Sequence, residues 1–222
     1  FGKPVWSEQT LTVNGREIPA TQNGWQLLRT NASLPMTLSS SMPWQIGFIN
    51  IERPGRGVTV SAMGINGAQL SQWSKWRPGM WEDLAQTKAD LIILAYGTNE
   101  AFSGNLDISS TERTWRNYIR QIKNTLPNAG ILILGAPESL KTAYGSCGNR
   151  PVLLSEVQQM QQRVARDEKI MFWSWQDAMG GACSMKNWMA QGLAAKDGVH
   201  FSAQGYETAA DKLADSLIRF AQ

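Results

Sequence analysis

The run Ala89-Asp90-Leu91-Ile92-Ile93-Leu94-Ala95-Tyr96, leading straight into Gly97-Thr98-Asn99-Glu100-Ala101-Phe102, decides the fold class of this chain. A short continuous apolar run closed by a glycine is the pattern of a strand buried on both faces. Three other runs repeat it: Val58-Thr59-Val60-Ser61-Ala62-Met63, Gly130-Ile131-Leu132-Ile133-Leu134-Gly135 and Ile170-Met171-Phe172-Trp173-Ser174. Helical patterns lie between and after them. These are a tryptophan-bearing segment (Leu70, Trp73 and Trp76, with Trp81 beyond Pro78-Gly79), an amphipathic helix at about 110–126, another at about 154–168, and a last helix from about Ser202 to Ala221. Strands alternating with helices predict an α/β domain with a doubly wound, flavodoxin-like parallel sheet. Arg113, Arg116, Arg120 and Lys123 form a basic stripe on the 110–126 helix, read as a solvated face.

The first 57 residues follow another rhythm. Thr10-Leu11-Thr12-Val13, then Asn14-Gly15, then Arg16-Glu17-Ile18-Pro19 is a hairpin signal, because Asn-Gly supplies the positive φ angles of a two-residue turn. Trp25-Gln26-Leu27-Leu28, Met36-Thr37-Leu38 and Trp44-Gln45-Ile46-Gly47-Phe48-Ile49-Asn50-Ile51 add strand-like runs separated by Asn, Ser and Pro clusters. That is too few for a complete sandwich. The expectation is the C-terminal part of a β-sandwich module over residues 1–57, bounded by Arg53-Pro54-Gly55-Arg56-Gly57, with the α/β domain over 58–222.

Composition narrows the function. The 222 residues carry scattered charge with a net of +3, which gives nucleic-acid binding little support. No apolar run approaches the ~18 residues of a membrane span, and Phe1-Gly2-Lys3-Pro4 does not open a signal peptide. Ten tryptophans offer aromatic faces of the kind that hold sugar rings, as well as core. Cys147 and Cys183 both sit in glycine-rich loops, where pairing would imply an oxidising compartment. One histidine and two cysteines hardly assemble a zinc site, and no cofactor is called for.

In an open parallel sheet, ligand chemistry gathers at the carboxyl ends of the strands. Three loops qualify. Gly64-Ile65-Asn66-Gly67-Ala68 follows the first strand, Gly97-Thr98-Asn99-Glu100 the second, and Asp197-Gly198-Val199-His200 precedes the last helix. Asp197 stands three positions before the only histidine, so its carboxylate can hold Nδ1 and leave Nε2 as a base. Gly67 can present a backbone N–H and Asn99 a side-chain N–H, two arms of an oxyanion hole. Each residue also has a plainer reading: a tight turn at Gly67, a helix N-cap at Asn99, a turn cap at Asp197.

With these motifs in place, the chain resembles the SGNH hydrolases, whose four blocks carry Ser, Gly, Asn and His. Gly64-Ile65-Asn66-Gly67 matches the glycine block, Gly97-Thr98-Asn99-Glu100 is a variant of Gly-x-Asn-Asp, and Asp197-Gly198-Val199-His200 is Asp-x-x-His. The wording is most similar to that of bacterial peptidoglycan O-acetylesterases, which insert a carbohydrate-binding-like β-module between the serine and glycine blocks. The resemblance implies a serine esterase acting on O-acetylated peptidoglycan in a Gram-negative envelope, periplasmic or outer-membrane-associated. In it Asp197, His200, Asn99 and Gly67 are catalytic. The serine block itself is missing: Asp215-Ser216 lies within the last helix, and no Gly-x-Ser-x-Gly elbow occurs. The expectation is that a segment upstream of these residues carries both the serine and the central first strand, with Cys183 as a remote thiol alternative. Two rivals remain open: an SGNH esterase or lipase for another ester, and a non-catalytic glycan-binding protein.

Overall fold

The computed structural model describes residues 2–4, 9–53, 55–76 and 78–220 and divides the chain into two compact units, Phe1–Met63 and Gly64–Gln222. Phe1, Pro54 of the expected boundary and Ala221 at the expected helix end lie outside the described residues.

The first unit is built from short antiparallel pairs. β1 (Gly2–Pro4) pairs with β5 (Trp44–Ile46), while β2 (Thr10–Val13) pairs on one side with β3 (Arg16–Pro19) and on the other with β4 (Leu38–Ser39). The β2–β3 hairpin turns through Asn14 (φ 48°) and Gly15 (φ 79°), both left-handed, which suits the twist of the flanking strands. Asn14 also ties the tip to the loop that leads into β4, accepting from the Thr37 N–H at 2.7 Å and donating to the Ser33 carbonyl at 2.8 Å. The other expected strands shrink. Residues 25–28 keep only an isolated bridge between Gly2 and Gln26, and 47–51 are irregular.

Residues 58–63 require a correction, because they enter no sheet, and Val58 and Val60 are 91% and 85% exposed. Val-Thr-Val favours strand geometry, but a strand exists only where its backbone groups find a partner. The compact units divide between Met63 and Gly64.

The second unit is α/β with a parallel sheet. A 3₁₀ helix (Leu70–Lys75) and α1 (Met80–Thr87) lead to β6 (Leu91–Leu94), α2 (Thr98–Phe102), α3 (Ile108–Thr125) and β7 (Gly130–Leu134). Then come α4 (Leu154–Asp167), β8 (Met171–Trp173), α5 (Trp175–Met179), α6 (Met185–Ala190) and α7 (Ala203–Phe220). The strands lie in the order β6-β7-β8, all parallel, with Leu91 opposite Gly130 and Leu132 opposite Met171. The outer edge of β6 pairs with no strand among the described residues.

Helical spacing explains the core. Trp115, Ile119 and Ile122 share one face of α3 and meet Met160 and Val164 of α4 over Ile131 and Ile133 of β7. The basic stripe does more than face water: Arg116 pairs with Glu112 and Asp167, Arg120 and Lys123 pair with Glu168, and Arg163 pairs with Glu112, joining α3 to the end of α4. A second cluster of Leu140, Met179, Met185, Trp188, Phe201 and Ala209 holds α5, α6 and the start of α7.

Candidate active site

The loop before α7 is shaped by Asp197. Its Oδ1 accepts the backbone N–H groups of Val199 (2.8 Å) and His200 (2.9 Å), and its Oδ2 lies 2.8 Å from His200 Nδ1. The carboxyl is held well below the usual range, at about 2, chiefly by the His200 backbone N–H; burial opposes this, and the imidazole and Val199 N–H add to it. With Nδ1 engaged, Nε2 is the ring nitrogen turned away from the carboxylate. Gly198 makes the turn at φ 69° and gives its carbonyl to the Leu140 N–H at 2.8 Å, and a Cβ at this position would come within 3.0 Å of Leu140 Cβ. Below the histidine, Ser202 Oγ accepts the Gly205 N–H (3.1 Å) and donates to the Gly192 carbonyl (2.7 Å), which starts α7. Gly205 is required there because a Cβ would fall 1.9 Å from the Leu193 carbonyl oxygen.

The other two loops are fastened to each other. Gly67 turns at φ 74°, and the next three residues meet the loop after β6. Asn99 Nδ2 donates to the Ala68 carbonyl at 2.9 Å, Gln69 Nε2 donates to the Asn99 carbonyl at 3.2 Å, and the Leu70 N–H donates to Glu100 Oε1 at 3.0 Å. Asn99 is not an N-cap: Gly97 occupies that position of α2, and its N–H donates to Glu100 Oε2 at 2.9 Å. One hydrogen of the Asn99 amide is thus committed to Ala68, while the second is available to a ligand. Glu100 is 1% exposed, and burial pushes its carboxyl up against the pull of those N–H groups.

Gly67, Asn99 and His200 line one cavity of about 590 Å³, with Asp197 behind the imidazole. Ala95, Leu134 and Gly135 form its floor at the carboxyl ends of β6 and β7. Fully buried Gln161 of α4 braces that floor, accepting from the Ala136 N–H (2.8 Å) and donating to the Tyr96 carbonyl (2.7 Å). One wall is aromatic: Trp175 stacks on Phe201 with ring centres 5.3 Å apart, and Tyr206 meets Phe201 edge-on. Buried Glu138 supports this wall by accepting from Arg150 (2.7 Å), from Gln176 next to Trp175, and from the Cys183 N–H (3.1 Å).

Cys183 is bonded to Cys147, so no thiol nucleophile remains. No serine lines the cavity among the described residues. Glu100, Gln161 and Trp175 were not singled out by sequence reasoning. Only Glu100 had a visible signal, an acid directly after the motif asparagine.

The family model for the GDSL-like Lipase/Acylhydrolase family matches residues 40–208. No curated protein sequence matches the chain. Among solved structures, a peptidoglycan O-acetylesterase is 66% identical with a TM-score of 0.90, covering 99% of this chain; the chain spans 63% of that protein's length. An acetyl xylan esterase (16% identical, TM-score 0.55, covering 69% of this chain and 78% of its own) shares the fold. So does an acetylxylan esterase from Geobacillus stearothermophilus (17%, TM-score 0.50, covering 69% and 67%).

Proposed function

Because this chain belongs to the GDSL-like lipase/acylhydrolase family, we propose that it forms most of the hydrolase domain of a serine esterase that removes O-acetyl groups from peptidoglycan, at muramoyl residues. The observation that carries this reading is the single cavity lined by Gly67, Asn99 and His200 with Asp197 bonded behind the ring. The 66% identity to a peptidoglycan O-acetylesterase supports this ester over others.

In the proposed reaction, His200 Nε2 takes the proton of a serine hydroxyl as its oxygen attacks the acetyl carbonyl. The oxyanion is held by the Gly67 N–H, the second Asn99 amide hydrogen and the serine's own N–H. The tetrahedral intermediate expels the sugar oxygen, which receives the proton from Nε2. Water then attacks the acyl-serine with His200 again as base, and acetate leaves. Asp197 keeps the proton on Nδ1 and offsets the charge that forms on the ring.

The serine is proposed to come from a segment outside residues 1–222 that pairs with the free edge of β6. That edge has no strand partner among the described residues, and Ile93 at its centre is 42% exposed. Residues 1–57 are proposed as the C-terminal part of the carbohydrate-binding-like module, with the hydrolase domain from residue 58. The Cys147–Cys183 bond supports an oxidising compartment, the Gram-negative periplasm or outer-membrane surface.

The test compares acetate release from O-acetylated peptidoglycan by the protein carrying its upstream segment, by its serine-to-alanine variant, and by residues 1–222 alone. Release by the first only is expected. Enzymatic turnover by residues 1–222 alone would overturn the assignment of the nucleophile, and a preference for longer acyl chains would overturn that of the substrate.

A further inference from the structure

Glu100 is a costly residue to bury, since it is 1% exposed and no cationic side chain among the described residues bonds to it. A helix cap would occupy one oxygen, that which accepts the Gly97 N–H. The other reaches back 30 residues to the Leu70 N–H, at the end of the turn that carries Gly67. Asn99, the neighbour of Glu100, bonds through both its side chain and its carbonyl to Ala68 and Gln69 of that same turn. Three hydrogen bonds therefore cross between residues 68–70 and residues 99–100. They commit one hydrogen of the Asn99 amide to Ala68, which sets where the other points, and they fix that donor relative to Gly67.

We infer that Glu100 is a positioning residue that sets the spacing of the Gly67 and Asn99 donors; this rests on reading those two groups as the oxyanion hole. Only a carboxylate suits the place. It accepts from two N–H groups and offers no hydrogen of its own, whereas a glutamine would turn an N–H₂ toward one of the two donors. Aspartate keeps both acceptor oxygens on a shorter arm.

The test uses the protein carrying its upstream segment, with Glu100→Gln and Glu100→Asp variants assayed on an aryl acetate well below their unfolding temperatures. Misplaced donors weaken only the transition state, so Glu100→Gln should lower kcat by about 10²-fold with KM within about twofold, and Glu100→Asp should recover most of the loss. An amide-exchange measurement runs beside the kinetics: protection of the Leu70 or Gly97 N–H should fall in Glu100→Gln while that of Ile133 in the sheet is kept. Unchanged kcat in a folded Glu100→Gln variant, or a Glu100→Asp variant no better than it, overturns the positioning role. If Glu100→Gln does not fold, the kcat-against-KM split in Glu100→Asp decides, and a rise confined to KM overturns the proposal. An inactive wild type would instead overturn the esterase reading. The exchange arm still judges Glu100 in that case, because unchanged protection at both amides rules out its hold on the two loops.

Discussion

Asp197 holds His200 at two points, taking Nδ1 of the ring on Oδ2 at 2.8 Å and the backbone N–H of the same residue on Oδ1 at 2.9 Å. One carboxylate therefore fixes both the tautomer of the imidazole and the loop that carries it. Asp197→Asn replaces an acceptor by a donor at Nδ1 and favours the wrong tautomer, so kcat should fall by about 10³–10⁴-fold with an unchanged circular dichroism spectrum. A loss smaller than about tenfold would remove Asp197 from the proposed catalytic machinery.

The same carboxylate predicts a pH dependence of stability. Its pKa in the folded chain is depressed from 3.8 to about 2, so its stabilising contribution is complete above the unfolded value and is lost as pH falls toward 2. Melting temperatures measured between pH 5 and pH 2 should drop less in Asp197→Asn than in wild type. Because Asp197 is half exposed, the difference should shrink in high salt.

Asn99 bears on stability and catalysis together. Asn99→Ala removes the bond to the Ala68 carbonyl, worth about 1 kcal/mol, and one proposed oxyanion donor, worth about 10²–10³-fold in kcat. Steady-state kinetics and a thermal melt on the same sample separate the two. A melt shift without a kcat change would leave Asn99 with a structural role alone.

The Cys147–Cys183 bond spans 36 residues of sequence and is tied to the cavity wall through Glu138, which accepts from the Cys183 N–H and from Gln176. Replacing both cysteines by serine should cost about 3–4 kcal/mol in denaturant unfolding, the loop-closure entropy of a ring of this size. A change below about 1 kcal/mol would show that the loops hold each other without the covalent bond.

Gly205→Ala should be strongly destabilising, since its Cβ would fall 1.9 Å from the Leu193 carbonyl oxygen, a backbone atom that cannot swing away. Overpacking of this kind costs about 1–3 kcal/mol or more, and α7 would have to shift with the loop that carries His200. Urea unfolding measures the first effect, and the His200 ring resonances report the second.

Some of this was legible in the sequence and some was not, for physical reasons. β6, β7 and β8 are short continuous apolar runs, of which only β7 is buried along most of its length, and α3, α4 and α7 are long enough for a 3.6-residue period to show. The Asn14-Gly15 hairpin was readable because two positive φ angles in succession demand such residues. α2, α5 and α6 run only five or six residues, too short for any periodicity to appear. Residues 58–63 misled because propensity is a property of the chain, whereas a strand is a property of a pair. Gly67, Asn99, Asp197 and His200 could be picked out by loop position, spacing and family resemblance, and the fold brings them to one cavity. Glu100 and Gln161 could not be given their tasks, because a polar side chain on an amphipathic helix looks solvated until the fold buries it.

On the proposed pairing, the edge of β6 that has no strand partner among the described residues would act as a receptor for a separate strand. Leu91–Leu94 carry no proline and no charge, the devices that usually discourage a sheet edge from taking on another strand. A peptide delivered in trans, separate in solution and chosen for its fit to that edge, could therefore reconstitute the sheet much as the two halves of a split reporter do. Turnover would then count assembly events, and the affinity of the two pieces could be read directly as a dose of peptide against acetate released.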